Sequence, residues 1–275
     1  MKRLELDLRE RRRHRPLLVA YVTAGYPDEE RFLELLPLLE QQGVDAVEIG
    51  LPCSDPLADG PVIQQASAHV LAAGMTTQCA LELASRLSET MTIPLLAMGY
   101  LNPLLAHGLP RFLAEAEAAG ISGLIIPDLP LGADPLREQL LIGSPLARIQ
   151  LATPASPESR LNRLAEQAEG FIYMVSRMGV TGGQSQGDPA LAAVSQSLRS
   201  LTTLPLLTGF GIADPASAAL AMQYGDGVIV GSALLQLLQN GNESLDAALQ
   251  FISGIRRELD RSTLTAAGQL KESLR

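Results

Sequence analysis

Asp45-Ala-Val-Glu-Ile-Gly-Leu-Pro-Cys-Ser-Asp-Pro-Leu-Ala-Asp-Gly-Pro61 begins as a short strand and ends at a helix start, with two proline-bounded turns between. In its first six residues the side-chain period of two sets Ala46, Glu48 and Gly50 on one face and Val47 and Ile49 on the other. Glu48 therefore points the way the small residues point. If the strand belongs to a parallel barrel covered outside by helices, that direction is the barrel interior, where an unpaired carboxylate costs several kcal/mol or takes up a proton. A carboxyl so placed reads as chemical rather than structural. Asp59 has two readings, a second acid near the first or a helix N-cap before Gly60-Pro61, and Asp55 before Pro56 is a good turn opener.

Outward from this stretch, short apolar runs alternate with amphipathic helical segments along the whole chain, with no break in composition that would mark a linker. The runs are Leu17 to Val22, Ala46 to Ile49, Leu95 to Met98, Gly123 to Ile126, Ile149 to Ala152, Phe171 to Val175, Leu204 to Leu207 and Val228 to Val230. Helical segments between them include Glu29 to Gln42, Pro110 to Ala119, Pro157 to Gln167, Pro215 to Tyr224 and Leu245 to Leu259, several opened by Pro or closed by Gly. Eight strand-helix units predict an α/β fold, a (β/α)8 TIM barrel spanning residues 1–275 as one domain. Extra helices are expected at the N-terminus, after strand 2 (Pro61 to Leu71) and after strand 8 (Ser232 to Gln239). A doubly wound sheet is the alternative, but no GxGxxG follows the first run, where Ala24-Gly-Tyr-Pro27 is only a turn.

Composition narrows the function. No apolar run reaches the roughly 18 residues of a membrane span, and the charged N-terminus lacks a signal peptide's apolar segment, so a cytoplasmic protein is expected. A formal charge of −9 argues against nucleic acid as the main partner. The one basic cluster, Arg9 to Arg15, is interleaved with acids and reads as a solvated helix face. Cys53 and Cys79 have no zinc or disulfide spacing. The only lysines, Lys2 and Lys271, stand at the chain ends, so no strand offers the buried amine of a Schiff-base aldolase. His14, His69 and His107 are not spaced as a metal cluster, and no cofactor is implied.

Chemistry then falls to carboxylates and hydroxyls. Glu48 and Asp59 share one loop system, and two acids in different environments can hold separated pKa values, as acid-base catalysis wants. Tyr100 and Tyr173, near the ends of the third and sixth runs, read as pocket walls. Thr208-Gly-Phe-Gly211 after the seventh run and Val230-Gly-Ser232 after the eighth read as a phosphate cradle of main-chain donors at a helix N-terminus, with no Lys or Arg in either loop. The loop after the sixth run, Arg177 to Gly187, is polar and Gly-rich and reads as a lid.

With these residues laid out, the chain resembles the tryptophan synthase alpha subunit family from about Pro16 to Gly241. The resemblance is carried by Ala20-Tyr-Val-Thr-Ala-Gly25, Glu48-Ile-Gly-Leu-Pro52 with Ser54-Asp-Pro-Leu-Ala-Asp-Gly-Pro61, Tyr100-Leu-Asn-Pro103, Pro127-Asp-Leu-Pro130, Ser176-Arg-Met-Gly-Val-Thr-Gly182, Gly209-Phe-Gly211 and Gly231-Ser232. It implies cleavage of indole-3-glycerol phosphate to indole and glyceraldehyde 3-phosphate, a retro-aldol reaction without metal or Schiff base. On that resemblance Glu48 matches the general acid-base and Asp59 the carboxylate facing the indole N–H. Thr181 matches the lid threonine that approaches Asp59, Tyr173 a tyrosine lining the site, and Tyr21 an aromatic against the indole. Gly182, Gly209, Phe210, Gly211, Gly231 and Ser232 match the phosphate cradle. The resemblance also implies a β subunit partner in an α2β2 complex. Cys53 departs from it, standing where members usually carry an aromatic residue on the loop turned toward that partner. Two rivals stand beside this reading. A phosphate-handling isomerase or synthase barrel would want His and Asp metal ligands or a barrel lysine, and neither is present; the other rival is a non-catalytic barrel subunit that binds and activates a partner enzyme.

Overall fold

The coordinates are a computed structural model that describes residues 2–175, 188–209, 211–239 and 244–273, with side chains up to residue 262. Eight parallel strands close on themselves in sequence order: β1 Leu17–Thr23, β2 Ala46–Gly50, β3 Leu95–Met98, β4 Ile121–Ile125, β5 Ala147–Ala152, β6 Ile172–Val175, β7 Leu206–Gly209 and β8 Gly227–Val230. Closure pairs Leu17 with Gly227 and Ala20 with Val230. This is the expected TIM barrel, with three strands, β4, β5 and β7, displaced by two residues at one end or both and others differing by a single residue. β4 begins at Ile121 because Ser122, which interrupts the apolar run, donates its hydroxyl to Leu95 O and stays in the sheet. β5 begins at Ala147 because Arg148 points outward to Glu138, 3.1 Å away. β7 starts after Pro205 and runs on through Thr208 and Gly209, which pair with β6 although neither is apolar.

The outer helices start where chemistry places them. α2 (Glu29–Gln41), α4 (Thr77–Ser88), α7 (Pro135–Gly143), α9 (Pro189–Leu201) and α10 (Pro215–Ala221) each follow an Asp or Thr whose side chain accepts a first-turn N–H. The others in the ring are α5 (Leu101–His107), α6 (Leu109–Ala118) and α8 (Glu158–Gln167). The extra helices are α1 (Arg3–His14), α3 (Pro61–Ala72) and α11 (Ser232–Leu238), and α12 extends to Ser244–Ser273, well past the expected end. Among the described residues no helix is long and apolar enough to cross a membrane.

α1 is more than a solvated face. Its Leu4 and Leu8 are buried, and Leu4 enters the N-terminal end of the barrel. A Cβ at Gly123 or at Gly170 would come within 2.8 Å of Leu4, so those two absent side chains make its seat. Arg11 and Arg13 do pair along the helix, but Arg12 reaches Asp226 at 3.2 Å and Arg15 reaches Asp45 at 2.7 Å, docking the helix on the barrel. Lys2 lies at this same end, bonded to Ser144 O and to Leu146 O (3.0 Å) and 3.3 Å from Glu169.

Candidate active site

At the opposite end the strands deliver their C-terminal residues. Glu48 stands in β2 between Tyr21 of β1 and Leu96 of β3, fully buried, and neither carboxylate oxygen has a hydrogen-bond partner among the described residues. Desolvation penalises the charged form, and its pKa is pushed up to about 8. At neutral pH this carboxyl is a proton donor. Two residues on, Gly50 makes room: a Cβ there would fall on the ring and hydroxyl of Tyr21.

Asp59 does not cap α3. The N-cap is Gly60, with no side-chain bond to the helix, so the bland reading of this carboxylate is removed. Its partner is the hydroxyl of Tyr100, which also accepts the N–H of Ala58 at 2.9 Å. Burial raises the Asp59 pKa to about 6, against the lowering effect of the Tyr100 hydrogen bond. The two acids are thus held apart in acidity, with Asp59 ionised and Glu48 protonated near neutrality.

Tyr21, Asp59, Tyr173, Gly211, Gly231 and Ser232 share the lining of one cavity of about 200 Å³. Met98, Ile63, Ile212 and Ile229 complete an apolar wall that no sequence motif singles out. Glu48 belongs to the same field, because its negative charge raises the pKa values of both Tyr21 and Tyr173 after burial has raised them more. Both phenols stay protonated, consistent with walls. Gly209 lies behind Tyr173, whose hydroxyl and ring occupy the space a Cβ would need. Gly211 has φ +77°, a left-handed conformation that favours Gly. A Cβ at Gly231 would sit 3.2 Å from Tyr21 Cβ, so this glycine gives the tyrosine its room. Ser232 is the first residue of α11, whose N-terminus carries no side-chain cap. Tyr100 lines the neighbouring hollow of about 480 Å³ with Cys53, Asp55, Asn102 and Asp128. Thr181, Gly182, Phe210 and the proposed lid lie outside the described residues. Among the described residues no group of His, Cys, Asp and Glu is arranged to hold a metal ion.

Fold and site together define a (β/α)8 barrel protein with two carboxyl groups of raised pKa toward the C-terminal ends of its strands. Comparison with known proteins gives the family. The model of the tryptophan synthase alpha chain family matches residues 8–263. Its curated relatives include tryptophan synthase alpha chains of Dehalococcoides mccartyi, 43% identical over 90% of this chain and 96% of the relative, and of Geobacter sulfurreducens, 40% identical over 94% of each. A crystal structure of the alpha chain from Legionella pneumophila superposes with a TM-score of 0.84 at 32% identity, covering 94% of this chain and 98% of that one. A chain of tryptophan synthase from M. tuberculosis in its aminoacrylate-bound form gives 0.83 at 29% identity, covering 94% and 100%. The chain belongs to the tryptophan synthase alpha chain family.

Proposed function

We propose that this chain is a carbon-carbon lyase that cleaves indole-3-glycerol phosphate to indole and glyceraldehyde 3-phosphate in tryptophan biosynthesis. The observation that carries the reading is the buried carboxyl of Glu48, without a hydrogen-bond partner among the described residues, beside a cavity lined by Asp59. In the reaction the bond between indole C3 and the first glycerol carbon breaks. C3 takes a proton from Glu48, and the hydroxyl on that glycerol carbon loses its proton as the aldehyde carbonyl forms, with Glu48 as acceptor. Protonation at C3 places positive charge on the ring, which the Asp59 carboxylate stabilises at the indole N–H. Tyr21, Tyr100 and Tyr173 hold the ring and the carboxylate in place, and Thr181 approaches Asp59 as the site closes. Gly182, Gly209, Phe210, Gly211, Gly231 and Ser232 form the phosphate site, in which main-chain donors and the start of α11 face the anion. The chain needs no cofactor of its own in this scheme. It works as one barrel domain in the cytoplasm and passes indole to a tryptophan synthase beta subunit in an α2β2 complex.

The test is indole release from indole-3-glycerol phosphate by the purified chain, alone and with a beta subunit. Indole is expected in both cases, faster in the complex. With Asp59 ionised above about pH 6 and Glu48 protonated below about pH 8, kcat/KM is expected to peak between those limits. Calorimetric binding of substrate with no indole from either preparation would favour the non-catalytic, partner-activating subunit instead.

A further inference from the structure

Helix α5 starts with a residue that does not cap it. Tyr100 is its N-cap, yet the phenol is turned into the loop after β2, where it accepts from Ala58 N–H and donates to Asp59. The first helical N–H, that of Leu101, is received by Asp128, whose two carboxylate oxygens lie 2.9 and 3.2 Å away. Asp128 comes from the loop after β4, 27 positions along the chain. Within the loop that carries Asp59 the backbone bonds are local, Leu57 N to Asp55 O and Asp59 N to Pro56 O, and Leu57 is 92% exposed. Tyr100 supplies the reach from that loop to the barrel, and its own backbone is held from the other side by Asp128.

We infer that Asp128 is a positioning residue for the reaction: by receiving Leu101 N–H it fixes the start of α5, hence Tyr100, and through Tyr100 the carboxylate of Asp59. Asp128 matters in this way only because Asp59 carries the ring charge, as proposed above. Small displacements at such a group are costly, about 1 Å being enough for 10²-fold in rate. The titratable groups around Asp59 are Tyr21 on β1, Tyr100 after β3 and Tyr173 on β6; of these, Tyr100 is its hydrogen-bond partner, and it lowers the Asp59 pKa. Loosening Tyr100 therefore moves the acid limb of the pH profile to higher pH.

The experiment compares Asp128→Ala, Asp128→Asn, Tyr100→Phe and the Asp128→Ala/Tyr100→Phe double variant in steady-state cleavage across pH. Asp128→Ala is expected to lower kcat about tenfold, with KM within about threefold because the loops after β7 and β8 are untouched, and to shift the acid limb of kcat/KM upward. Asp128→Asn is expected to recover most of the rate, since an amide oxygen receives a helix N–H as well as a carboxylate does. The double variant is expected to be no worse than Tyr100→Phe alone, because the two act in series. An unmoved limb in Asp128→Ala, equal impairment in Asp128→Asn, or additive losses in the double variant would each overturn the inference. If near-UV circular dichroism shows Asp128→Ala unfolded, Asp128→Leu, which has no acceptor, against Asp128→Asn decides by the same criteria. Full activity in Asp59→Asn would instead overturn the role of Asp59, a separate failure.

Discussion

Two fully buried carboxyl groups, one just before strand β2 and one at its centre, stand in opposite conditions. Asp45, just before the strand, accepts Leu18 N–H at 3.0 Å, Arg15 through Nε (3.2 Å) and Nη2 (2.7 Å), and Arg256 Nη1 at 3.4 Å. Arg256 in turn donates to Pro16 O and Asp260. Glu48, three residues later and equally buried, has no such partner among the described residues. Burial alone does not mark a working acid. Asp45 is structural, paired at the closed end of the barrel; Glu48 is a stored proton at the open end, and its cost is borne because its neighbours are a cavity and tyrosines rather than guanidinium groups.

The largest expected effect breaks the open end. Glu48→Gln keeps the shape and removes the proton, and single-turnover indole release is expected to fall by about 10²–10⁴. The same variant sharpens the comparison through stability. The folded pKa of Glu48, about 8, lies above its ordinary value of 4.5, so the native state binds the extra proton between those pH values and loses stability as pH rises through them. That loss is on the order of 3 kcal/mol by pH 7. Urea unfolding of the wild type against Glu48→Gln is expected to show this decline in the wild type and its absence in the variant; parallel pH profiles would contradict a protonated native Glu48.

Breaking the closed end comes next. Asp45→Ala removes the buried carboxylate that Arg15 and Arg256 share, leaving Leu18 N–H without its acceptor and Arg256 with Pro16 O and the partly exposed Asp260, and is expected to cost roughly 3–5 kcal/mol in urea unfolding, while the fraction that remains folded turns over at an unchanged kcat. A fall in kcat without a fall in stability would reverse the contrast between the two acids. The smallest effect removes only the outer partner. Arg15 is 37% exposed, and without it Asp45 keeps Leu18 N–H and Arg256, so Arg15→Ala is expected to cost about 1 kcal/mol. A cost equal to that of Asp45→Ala would make Arg15, not Arg256, the principal partner.

How much of this was legible in the sequence follows from range. The alternation in Asp45 to Gly50 is local, and it placed Glu48 inside the barrel correctly. The cap residues before α2, α4, α7, α9 and α10 are local too. Asp45 is not legible as an ion-pair centre, because its partners Arg15 and Arg256 lie 30 and 211 positions away and no periodicity reports on such pairs. Asp59 before Gly-Pro looks like an N-cap until Tyr100, 41 residues on, claims its carboxylate. The glycines were legible as glycines but not for their reasons. Gly50 and Gly209 were small to admit the rings of Tyr21 and Tyr173, which no turn rule or phosphate motif could say.

The seat of Leu4 has a consequence for the order in which the molecule can be completed during synthesis. Helix α1 leaves the ribosome well before the walls of the hole that its Leu4 plugs, at Gly123 and Gly170, are made, and Lys2 waits for Ser144, Leu146 and Glu169. Asp45 must wait longer still, until Arg256 has emerged. Between those moments the nascent chain holds an amphipathic helix without its socket and a carboxylate that has Arg15 but not yet Arg256, so the closed end of the barrel is completed by pairs of residues made far apart in time.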